Sequence, residues 1–289
     1  MLLWLLVHAY NLSIPTFLDY EDLLMIELQG KSAIVTGGGS GIGMGIAKIL
    51  SMAGVSTVLV DKNFENVRKV SDSLAGNHVP YKADVTEERD VERMVSFALD
   101  TFGKIDILVN NAGIVGASNW WERDIPNDDD WDQVHSVNVR GIVRVTQAVS
   151  DHMKVMNYGK IVNIASIAGR RGSPDLPHYS TTKAAVISWT QSSALQLAEF
   201  GINVNAICPG LLWTPMWEAI ARRRTLISKA SVSEQDGRDF FEKIVQDTIP
   251  MKREQTPEDI GNLCAFLVSD LAHNITGQAI NVDGGRFSN

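Results

Sequence analysis

From residue 31 onward, the sequence alternates short apolar runs rich in Val and Ile with longer segments of helical periodicity. This alternation is typical of repeated β-α-β units that build a parallel sheet. The apolar runs are nearly continuous, as expected for strands that helices cover on both faces. The pattern predicts seven strands, at residues 32–36, 57–61, 79–82, 105–110, 160–165, 203–207 and 278–282.

The segments between these runs predict six helices, at residues 41–53, 64–74, 87–102, 128–156, 179–200 and 257–269. No linker rich in Pro, Ser or charge divides the array, so we expect residues 31–289 to form one domain. The predicted fold class is α/β, a single Rossmann-type doubly wound domain whose seven-stranded parallel sheet carries helices on both faces. Residues 214–250 form a long insertion between the last two strands, and such an insertion lies at the carboxyl edge of the sheet, where ligands bind.

The 289 residues carry a formal net charge of −8 and only two cysteines, Cys208 and Cys264. Nucleic-acid binding needs clustered positive charge, and the densest basic run is the three arginines at residues 222–224. Two cysteines cannot build a disulfide framework. We therefore expect no nucleic-acid partner, a cytoplasmic location with free thiols, and no bound metal.

Residues 1–30 precede the first predicted strand and begin with an apolar run of seven residues. His8, Asn11 and Ser13 interrupt this run before it reaches the ~17–25 residues that a membrane-spanning helix needs. A secretory signal would begin with a basic segment, whereas no Lys or Arg occurs before Lys31. We interpret residues 1–30 as an N-terminal extension, which is either an upstream start or loosely held arm, or a segment that packs on a partner subunit.

A glycine-rich turn, TGGGSGIG at residues 36–43, directly follows the first predicted strand and leads into an apolar helix. Glycines allow a tight turn and a close backbone approach to a pyrophosphate, and the N-terminus of the helix offers unpaired N–H groups and a positive dipole end. The spacing of Gly37, Gly41 and Gly43 is wider than in the common dinucleotide fingerprint. This pattern predicts a dinucleotide site formed by Gly37, Ser40, Gly41, Ile42 and Gly43.

The second predicted strand ends at Asp61. A carboxylate at this position binds the ribose hydroxyls of adenosine and repels a 2′-phosphate, which favours NAD over NADP. Ser40 supplies no compensating cation, although Lys62 follows Asp61 and could attract a phosphate. We predict NAD as the cofactor.

Tyr179 and Lys183 are four positions apart on a predicted helix, so they share one helical face. A free Tyr keeps its proton up to pH ~10. A neighbouring cation, together with the positively charged nicotinamide ring, is expected to favour the phenolate and bring its pKa toward the working range. Ser166 follows the fifth predicted strand and could orient a substrate oxygen by a hydrogen bond.

Together these features resemble the short-chain dehydrogenase/reductase family, in its common form of about 250 residues. The resemblance extends from about Lys31 to Arg286 and rests on dispersed motifs in the family order. These motifs are the glycine turn, Asp84-Val85, the NNAG run at residues 110–113, Asn138, Ser166 with Tyr179 and Lys183, and Pro209-Gly210.

The resemblance implies a role for each matching residue. Ser166, Tyr179, Lys183 and Asn138 would be catalytic, with Tyr179 as general acid/base and Asn138 holding a water that links Lys183 to solvent. Lys183 would also hold the nicotinamide ribose. The remaining cofactor contacts would come from Asp84 and Val85 in the adenine pocket, from Asn111, Ala112 and Gly113, and from Pro209, Gly210 and Thr214.

The resemblance implies an NAD(H)-dependent oxidoreductase that interconverts a secondary alcohol and a ketone, on a sugar, polyol or other small hydroxy compound. A 3-oxoacyl-carrier-protein reductase or a hydroxysteroid-type dehydrogenase is the alternative, and a non-catalytic NAD(H)-binding regulator is the alternative of another class. Candidate substrate residues are Trp120, Trp121, Pro174, Leu176, His178, Trp213, Trp217 and the helix at residues 219–224.

Several of these candidates have a structural interpretation as well. Trp213 and Trp217 could form an aromatic lid or simply pack in the core, residues 222–224 could meet an anion or form a solvated helix face, and His178 could be a surface histidine. The resemblance also implies a homo-oligomer, a tetramer or dimer, paired through the long helices after the fourth and fifth strands.

Overall fold

The computed structural model describes Ile26, residues 28–227 and residues 234–288. Seven strands are present: β1 Ser32–Thr36, β2 Ser56–Asp61, β3 His78–Lys82, β4 Ile107–Asn110, β5 Gly159–Ile164, β6 Ile202–Pro209 and β7 Ala279–Val282. They form one parallel sheet in the order β3-β2-β1-β4-β5-β6-β7. The chain reverses its direction of travel across the sheet between β1 and β4, which confirms the doubly wound Rossmann-type fold and places a crevice at their carboxyl ends.

The helices of the described residues are α1 Gly41–Met52, α2 Phe64–Ser73, α3 Glu88–Phe102, α4 Asp128–His135, α5 Ile142–Met156, α6 Pro177–Leu197, α7 Pro215–Ile227, α8 Glu234–Thr248 and α9 Pro257–Val268. The predicted helix at residues 128–156 is divided, because a π-helical turn over Ser136–Gly141 joins α4 to α5. Such a turn adds a residue to the helical repeat and is frequent at functional sites.

Hydrophobic cores lie on both faces of the sheet. Val35 of β1 packs with Ile46 and Leu50 of α1 on one face, whereas the preceding Ile34 packs on the other face with Met94 of α3 and Met153 of α5. Successive strand residues point to opposite faces, so a strand covered on both sides must be apolar throughout. This is why the strands appear in the sequence as continuous apolar runs.

The insertion at residues 214–250 contains α7 and α8 and forms a small core together with the residues just before it. Phe241 is fully buried there with Leu211, Val245 and Ile249. Trp213 and Trp217 meet the Phe241 ring edge-on, at centroid distances of 5.2 Å and 5.0 Å. Both tryptophans therefore have the core-packing role, and Trp217 also lines the main cleft.

The packed part of the chain begins before residue 31. Leu28 is only 3% exposed in the core beside α1, and its N–H donates to the Ala53 carbonyl at 2.9 Å. The domain therefore includes residues that the sequence assigned to the N-terminal extension. The two interpretations of the N-terminal extension otherwise concern residues 1–25 and 27, which lie outside the described residues.

Among the helices that the structure describes, none is both long and apolar enough to cross a membrane.

Candidate active site

A cleft of about 1160 Å³ opens along the carboxyl edge of the sheet. Residues at or after the ends of all seven strands line it, as expected for the ligand site of an open parallel sheet. It contains every predicted cofactor-binding residue except Gly43, and three of the four predicted catalytic residues, Ser166, Tyr179 and Lys183.

The glycine turn leaves no space for side chains at two of its positions. A Cβ on Gly43 would lie 2.1 Å from the Gly37 carbonyl oxygen, and one on Gly37, whose φ is +65°, would lie 2.8 Å from Asn111 Nδ2. Ser40 precedes α1 without making a side-chain cap hydrogen bond. Because the first N–H groups of a helix have no intrahelical acceptor, those of α1 are available to an anionic ligand.

Asn111 fastens the loop after β4 to this turn. Its Nδ2 donates to the Thr36 carbonyl at 3.0 Å and to the Gly37 carbonyl at 2.9 Å. The Thr36 hydroxyl accepts the N–H groups of Asn111 and Ala112 at 3.0 Å and 3.1 Å. Asn111 is therefore bound to the protein through its side chain, and its contribution to the cleft is to shape the turn.

Asp61 lies at one end of the cleft in a fixed orientation. Its Oδ2 accepts the Gly39 N–H at 3.1 Å and its Oδ1 accepts the Asn63 N–H at 2.9 Å. A Cβ on Gly39 would lie 2.8 Å from Oδ2, so this approach depends on glycine. Backbone donors hold the carboxylate where the ribose of an adenosine is predicted to bind.

Lys62 forms an ion pair with Asp84, at 2.8 Å between Nζ and Oδ2. Burial alone would raise the pKa of Asp84, but hydrogen bonds from Lys62 and Thr86 outweigh it and leave that pKa below its ordinary value. The positive charge of Lys62, which could have attracted a phosphate, is therefore paired with the Asp84 carboxylate. Val85, next to Asp84, is buried and also lines the cleft.

The loop after β6 brings Pro209, Gly210 and Thr214 into the cleft. A Cβ on Gly210 would lie 2.4 Å from Gln255 Oε1, the atom that accepts the Leu211 N–H at 2.7 Å. The Thr214 carbonyl accepts the Glu218 N–H in the first turn of α7. The methyl group of Thr214 lies 3.5 Å from where a Cβ on Gly41 would be, so the insertion reaches the glycine turn.

Tyr179 and Lys183 lie one turn apart on α6, with Lys183 Nζ 5.6 Å from the centroid of the phenol ring. Burial raises the pKa of Tyr179 to about 12, and a hydrogen bond with the Ser166 side chain opposes the rise. The expected lowering of this pKa does not occur with the side chains of the protein alone, because desolvation of the phenolate dominates. At neutral pH the phenol is protonated.

Lys183 is 3% exposed, and its Nζ donates to the Ile164 carbonyl at the end of β5 at 2.8 Å. Burial lowers the pKa of Lys183 to about 8. The hydrogen bond to Ile164 fixes the ammonium against the strand that leads to Ser166. The two groups predicted to act together are therefore anchored to the same strand end.

Asn138 is fully buried in the π-helical turn and does not line the cleft. Its Oδ1 accepts the Ile114 N–H at 2.9 Å, and its Nδ2 donates to the Ile114 carbonyl at 2.9 Å and to the Thr182 hydroxyl at 3.1 Å. Asn138 thereby joins the loop after β4 to α6, beside Lys183. Its side chain is fully engaged with protein groups.

The predicted substrate residues divide into two groups. Trp120, Trp121, Pro174, Leu176 and Trp217 line the cleft, whereas Trp213 and His178 do not.

His178 is 1% exposed, so its interpretation as a surface histidine is wrong. Nε2 lies 2.7 Å from the Val115 carbonyl, which holds the cleft loop after β4 against α6. Burial lowers the pKa of His178.

Arg223 is 5% exposed, so the interpretation of residues 222–224 as a solvated helix face is wrong for this residue. Its guanidinium donates to three backbone carbonyls, of Arg123 at 3.0 Å, Asp175 at 3.1 Å and Asp124 at 2.7 Å. Arg224 forms an ion pair with Asp175. These bonds attach α7 to the loops on the opposite side of the cleft.

Among the cleft residues that sequence reasoning did not identify are two arginines, Arg171 and Arg286. Arg171 follows the end of β5 and Arg286 follows the end of β7, at the same carboxyl edge as the predicted site. Their position shortly after a strand was the signal that could have identified them. Among the described residues, no group of side chains is arranged to hold a metal ion.

Comparison with known proteins decides the family. A family model described as enoyl-(acyl carrier protein) reductase matches residues 37–286. The oxidoreductase UcpA of Salmonella typhimurium is 37% identical over 265 residues, which cover 90% of this chain and 96% of that protein. The chain belongs to the short-chain dehydrogenase/reductase family. A diacetyl reductase [(S)-acetoin forming] of Staphylococcus epidermidis is 38% identical over 259 residues, covering 88% of this chain and 98% of that protein.

Solved structures of short-chain dehydrogenases/reductases share the fold. Levodione reductase superposes with a TM-score of 0.81 at 32% identity, over 89% of this chain and 98% of that one. The 3-ketoacyl-(acyl-carrier-protein) reductase of Brucella melitensis complexed with NADH superposes with a TM-score of 0.76 at 35% identity, over 90% of this chain and 99% of that chain.

The family binds a nicotinamide cofactor, and the residues of this chain fit such a group. The glycine turn has no side chains that would block a pyrophosphate, α1 presents free N–H groups, and the carboxylate of Asp61 lies in the same cleft as Tyr179. This chain is thus an oxidoreductase of the short-chain dehydrogenase/reductase family.

Proposed function

We propose that this short-chain dehydrogenase/reductase is an NAD(H)-dependent enzyme that interconverts a secondary alcohol and a ketone. The observation that carries the proposal is the placement of Ser166, Tyr179 and Lys183 in one cleft with the glycine turn and Asp61. A nicotinamide cofactor bound there supplies or accepts the hydride. The protein supplies the proton and the positions of the reacting groups.

Tyr179 is the general acid/base. Since burial raises its pKa to about 12, the phenol is protonated at neutral pH, which suits donation of its proton to a carbonyl oxygen during reduction. In the oxidation direction the same oxygen takes the proton of the alcohol. Ser166 orients the substrate oxygen, and Lys183 holds a positive charge beside the phenol.

Asn138 completes the catalytic set as a positioning residue. Through Ile114 and Thr182 it fixes the loop after β4 and the first turns of α6, which carry the cleft wall and Tyr179. The family role as holder of a water that reaches Lys183 is compatible with its place beside that lysine.

NAD rather than NADP is the proposed cofactor. A 2′-phosphate on the adenosine ribose would meet the fixed carboxylate of Asp61, and the lysine that follows it in the chain, Lys62, is paired with Asp84. Repulsion between like charges at close range disfavours the phosphorylated form. The predicted cofactor contacts of Gly37, Ser40, Gly41, Ile42, Gly43, Asp84, Val85, Asn111, Ala112, Gly113, Pro209, Gly210 and Thr214 complete this site.

A sugar, a polyol or another small hydroxy compound is the proposed substrate class. Two similar proteins are named as a diacetyl reductase and a levodione reductase, which supports a small carbonyl compound. Trp120, Pro174 and Trp217 are the proposed substrate contacts in the cleft, with Trp213 and His178 supporting its walls from behind.

A 3-oxoacyl-carrier-protein reductase is the second candidate. The Brucella melitensis relative of that kind is complexed with NADH, so the presence of Asp61 does not separate the two candidates. Turnover of a 3-oxoacyl thioester compared with that of free small ketones distinguishes them.

The deciding experiment uses Tyr179→Phe, which removes the phenol oxygen and keeps the ring. With a panel of alcohols and ketones and with both NAD(H) and NADP(H), we expect the wild-type protein to turn over at least one pair and to prefer NAD(H). The variant should lose at least about 100-fold in kcat, as for removal of a general acid/base, while NADH still binds with little change in fluorescence titration. Retained turnover overturns the role of Tyr179, and NADH binding without any turnover in the wild-type protein supports a regulator instead.

A further inference from the structure

The two ends of the catalytic cleft differ in charge. Asp61 and Asp84 line the predicted adenosine end, whereas the end beyond Ser166 and Tyr179 is lined by four arginines and only one carboxylate, Asp175. The whole chain carries a net charge of −8. Positive charge gathered at one end of a cleft attracts a negatively charged ligand to that end, even when the protein as a whole is acidic.

Two of the four arginines are used by the protein itself. Arg223 donates to three backbone carbonyls and Arg224 pairs with Asp175. Both attach α7 to the rest of the cleft wall. Arg223 still leaves a buried positive charge there, because backbone carbonyls satisfy its N–H groups without neutralising it.

The guanidinium groups of the other two, Arg171 and Arg286, have no hydrogen-bond or ion-pair partner among the described residues. Arg171 is exposed, and the guanidinium of Arg286 lies over the Phe287 ring, 5.6 Å from its centroid. Asp283 is the nearest carboxylate in sequence to Arg286, but backbone N–H groups of Gly285 and Phe287 occupy its two oxygens, at 3.0 Å and 2.9 Å. Arg286 is partly buried, and burial lowers the pKa of its guanidinium although the nearby Asp283 carboxylate opposes the shift. A half-buried guanidinium without an acceptor is costly unless a ligand supplies one.

Arg171 and Arg286 belong to neighbouring segments. The adjacent Arg170 donates to Asn281 Oδ1 at 3.2 Å and to the Ala279 carbonyl, which ties the loop after β5 to β7. Phe287, next to Arg286, packs in the same apolar cluster as Ile167, next to Ser166. The two free guanidiniums therefore flank the side of the cleft on which Ser166 lies.

The cofactor phosphates do not account for this pair. They are expected at the N-terminus of α1, after β1, and β7 lies four strand positions from β1 in the sheet. With strands about 4.8 Å apart, that is roughly 19 Å. An anion near Arg286 therefore belongs to the substrate end.

We infer that the substrate of this enzyme carries a carboxylate, which Arg171 and Arg286 bind while Ser166 and Tyr179 act on its carbonyl or hydroxyl group. The inference rests on the proposed function and narrows its substrate class to hydroxy acids and oxo acids, sugar acids included. Guanidinium binds a carboxylate through charge-assisted hydrogen bonds, which discriminate strongly against an uncharged analogue.

The test compares acids with their methyl esters. Pyruvate, acetoacetate and levulinate, each with its ester, are reduced with NADH by the wild-type enzyme and by Arg171→Gln and Arg286→Gln. We expect at least one acid to exceed its ester by about tenfold or more in kcat/KM, and each variant to lose about tenfold or more for that acid, mainly through KM. The kcat/KM for the ester and the KM for NADH should each change by less than about threefold in the variants, because independent sites contribute additively within a few tenths of a kcal/mol.

Arg93→Gln is the matched control, since Arg93 is an exposed arginine on α3 outside the cleft. It should behave as the wild-type enzyme with every compound. Equal rates for all acids and esters, or equal losses for an acid and its ester in the variants, overturn the inference. A raised KM for NADH in the variants overturns it as well, because the pair would then bind a cofactor phosphate.

Binding without turnover separates this inference from the proposed function. Tyr179→Phe with bound NADH is titrated with acetoacetate and its methyl ester, and quenching of NADH fluorescence reports binding. Tighter binding of the acid that is lost on adding Arg286→Gln supports the carboxylate site even if no ketone is reduced. Failure of every wild-type reduction, by contrast, counts against the proposed function alone.

Discussion

At the scale of single residues, burial shifts the pKa values of the two partners on α6, Tyr179 and Lys183, in opposite directions. It raises the pKa of Tyr179 to about 12 and lowers that of Lys183 to about 8. Both shifts favour the neutral form, because desolvation penalises any charge. The protein alone therefore holds the phenol ready to donate a proton, and a phenolate needs additional positive charge in the cleft.

The lysine shift predicts a pH dependence of stability. The pKa of Lys183 falls from 10.5 in an unfolded chain to about 8 in the folded protein. Between these values the unfolded chain binds more protons, so the contribution of Lys183 to the free energy of unfolding rises with pH. Compared with Lys183→Met, the wild-type protein should gain up to about 3 kcal/mol from pH 8 to pH 10.5 in urea denaturation.

The control for this measurement is Lys69→Met, at an exposed lysine on α2. It should keep the wild-type pH dependence. If the free energies of unfolding of the wild-type protein and of Lys183→Met changed in parallel with pH, burial would not lower the pKa of this lysine.

At the scale of elements, the sequence predicted those features of the fold and the site that depend on local patterns of residues. The seven strands and the approach of Ser166, Tyr179 and Lys183 follow from apolar runs, strand ends and helical spacing, all of which lie within short stretches. The buried position of Arg223 could not be predicted, because two of its acceptors, Arg123 and Asp124, are 100 and 99 positions away. The π-helical turn at Asn138 also lacks a sequence signal, since it is maintained by bonds to Ile114 and Thr182 on other segments.

Contact between α1 and α9 gives a prediction at this scale. A Cβ on Gly45 of α1 would lie 2.3 Å from Pro257 Cβ and 2.6 Å from the Pro257 backbone carbon at the start of α9. Helix propensity alone would make Gly45→Ala stabilising by up to about 1 kcal/mol. We expect the clash to reverse the sign and lower the free energy of unfolding by about 1–3 kcal/mol, measured by urea denaturation.

Gly172→Ala provides the comparison, because no atom lies within 4 Å of the Cβ position at Gly172. Its free energy of unfolding should stay within about 0.5 kcal/mol of the wild-type value, as for ordinary surface changes. A stabilised Gly45→Ala variant would mean that α1 and α9 are not packed this closely.

At the scale of the whole molecule, the described core includes residues that precede the first strand. The sequence placed the start of the domain at residue 31, where the first strand pattern begins. Leu28 and Ile26 nevertheless pack against the core beside α1, and a single apolar side chain ahead of a strand produces no periodic pattern. The N-terminal boundary of the domain is therefore determined by side-chain packing, which is visible only in the folded structure.

Truncation tests whether the first part of the N-terminal extension contributes to the domain. Removal of residues 1–16 should leave turnover and the free energy of unfolding unchanged, because the described residues of the cleft and of the core all follow that segment. In the truncated protein, Leu28→Ala should lower the free energy of unfolding by about 2–5 kcal/mol, the range for removing a buried leucine side chain. Urea denaturation measures both, and light scattering of the same samples reports the oligomeric state. If the truncated protein lost turnover or changed its oligomeric state, residues 1–16 would form a subunit contact. If Leu28→Ala left the free energy of unfolding unchanged, the core would begin after residue 28.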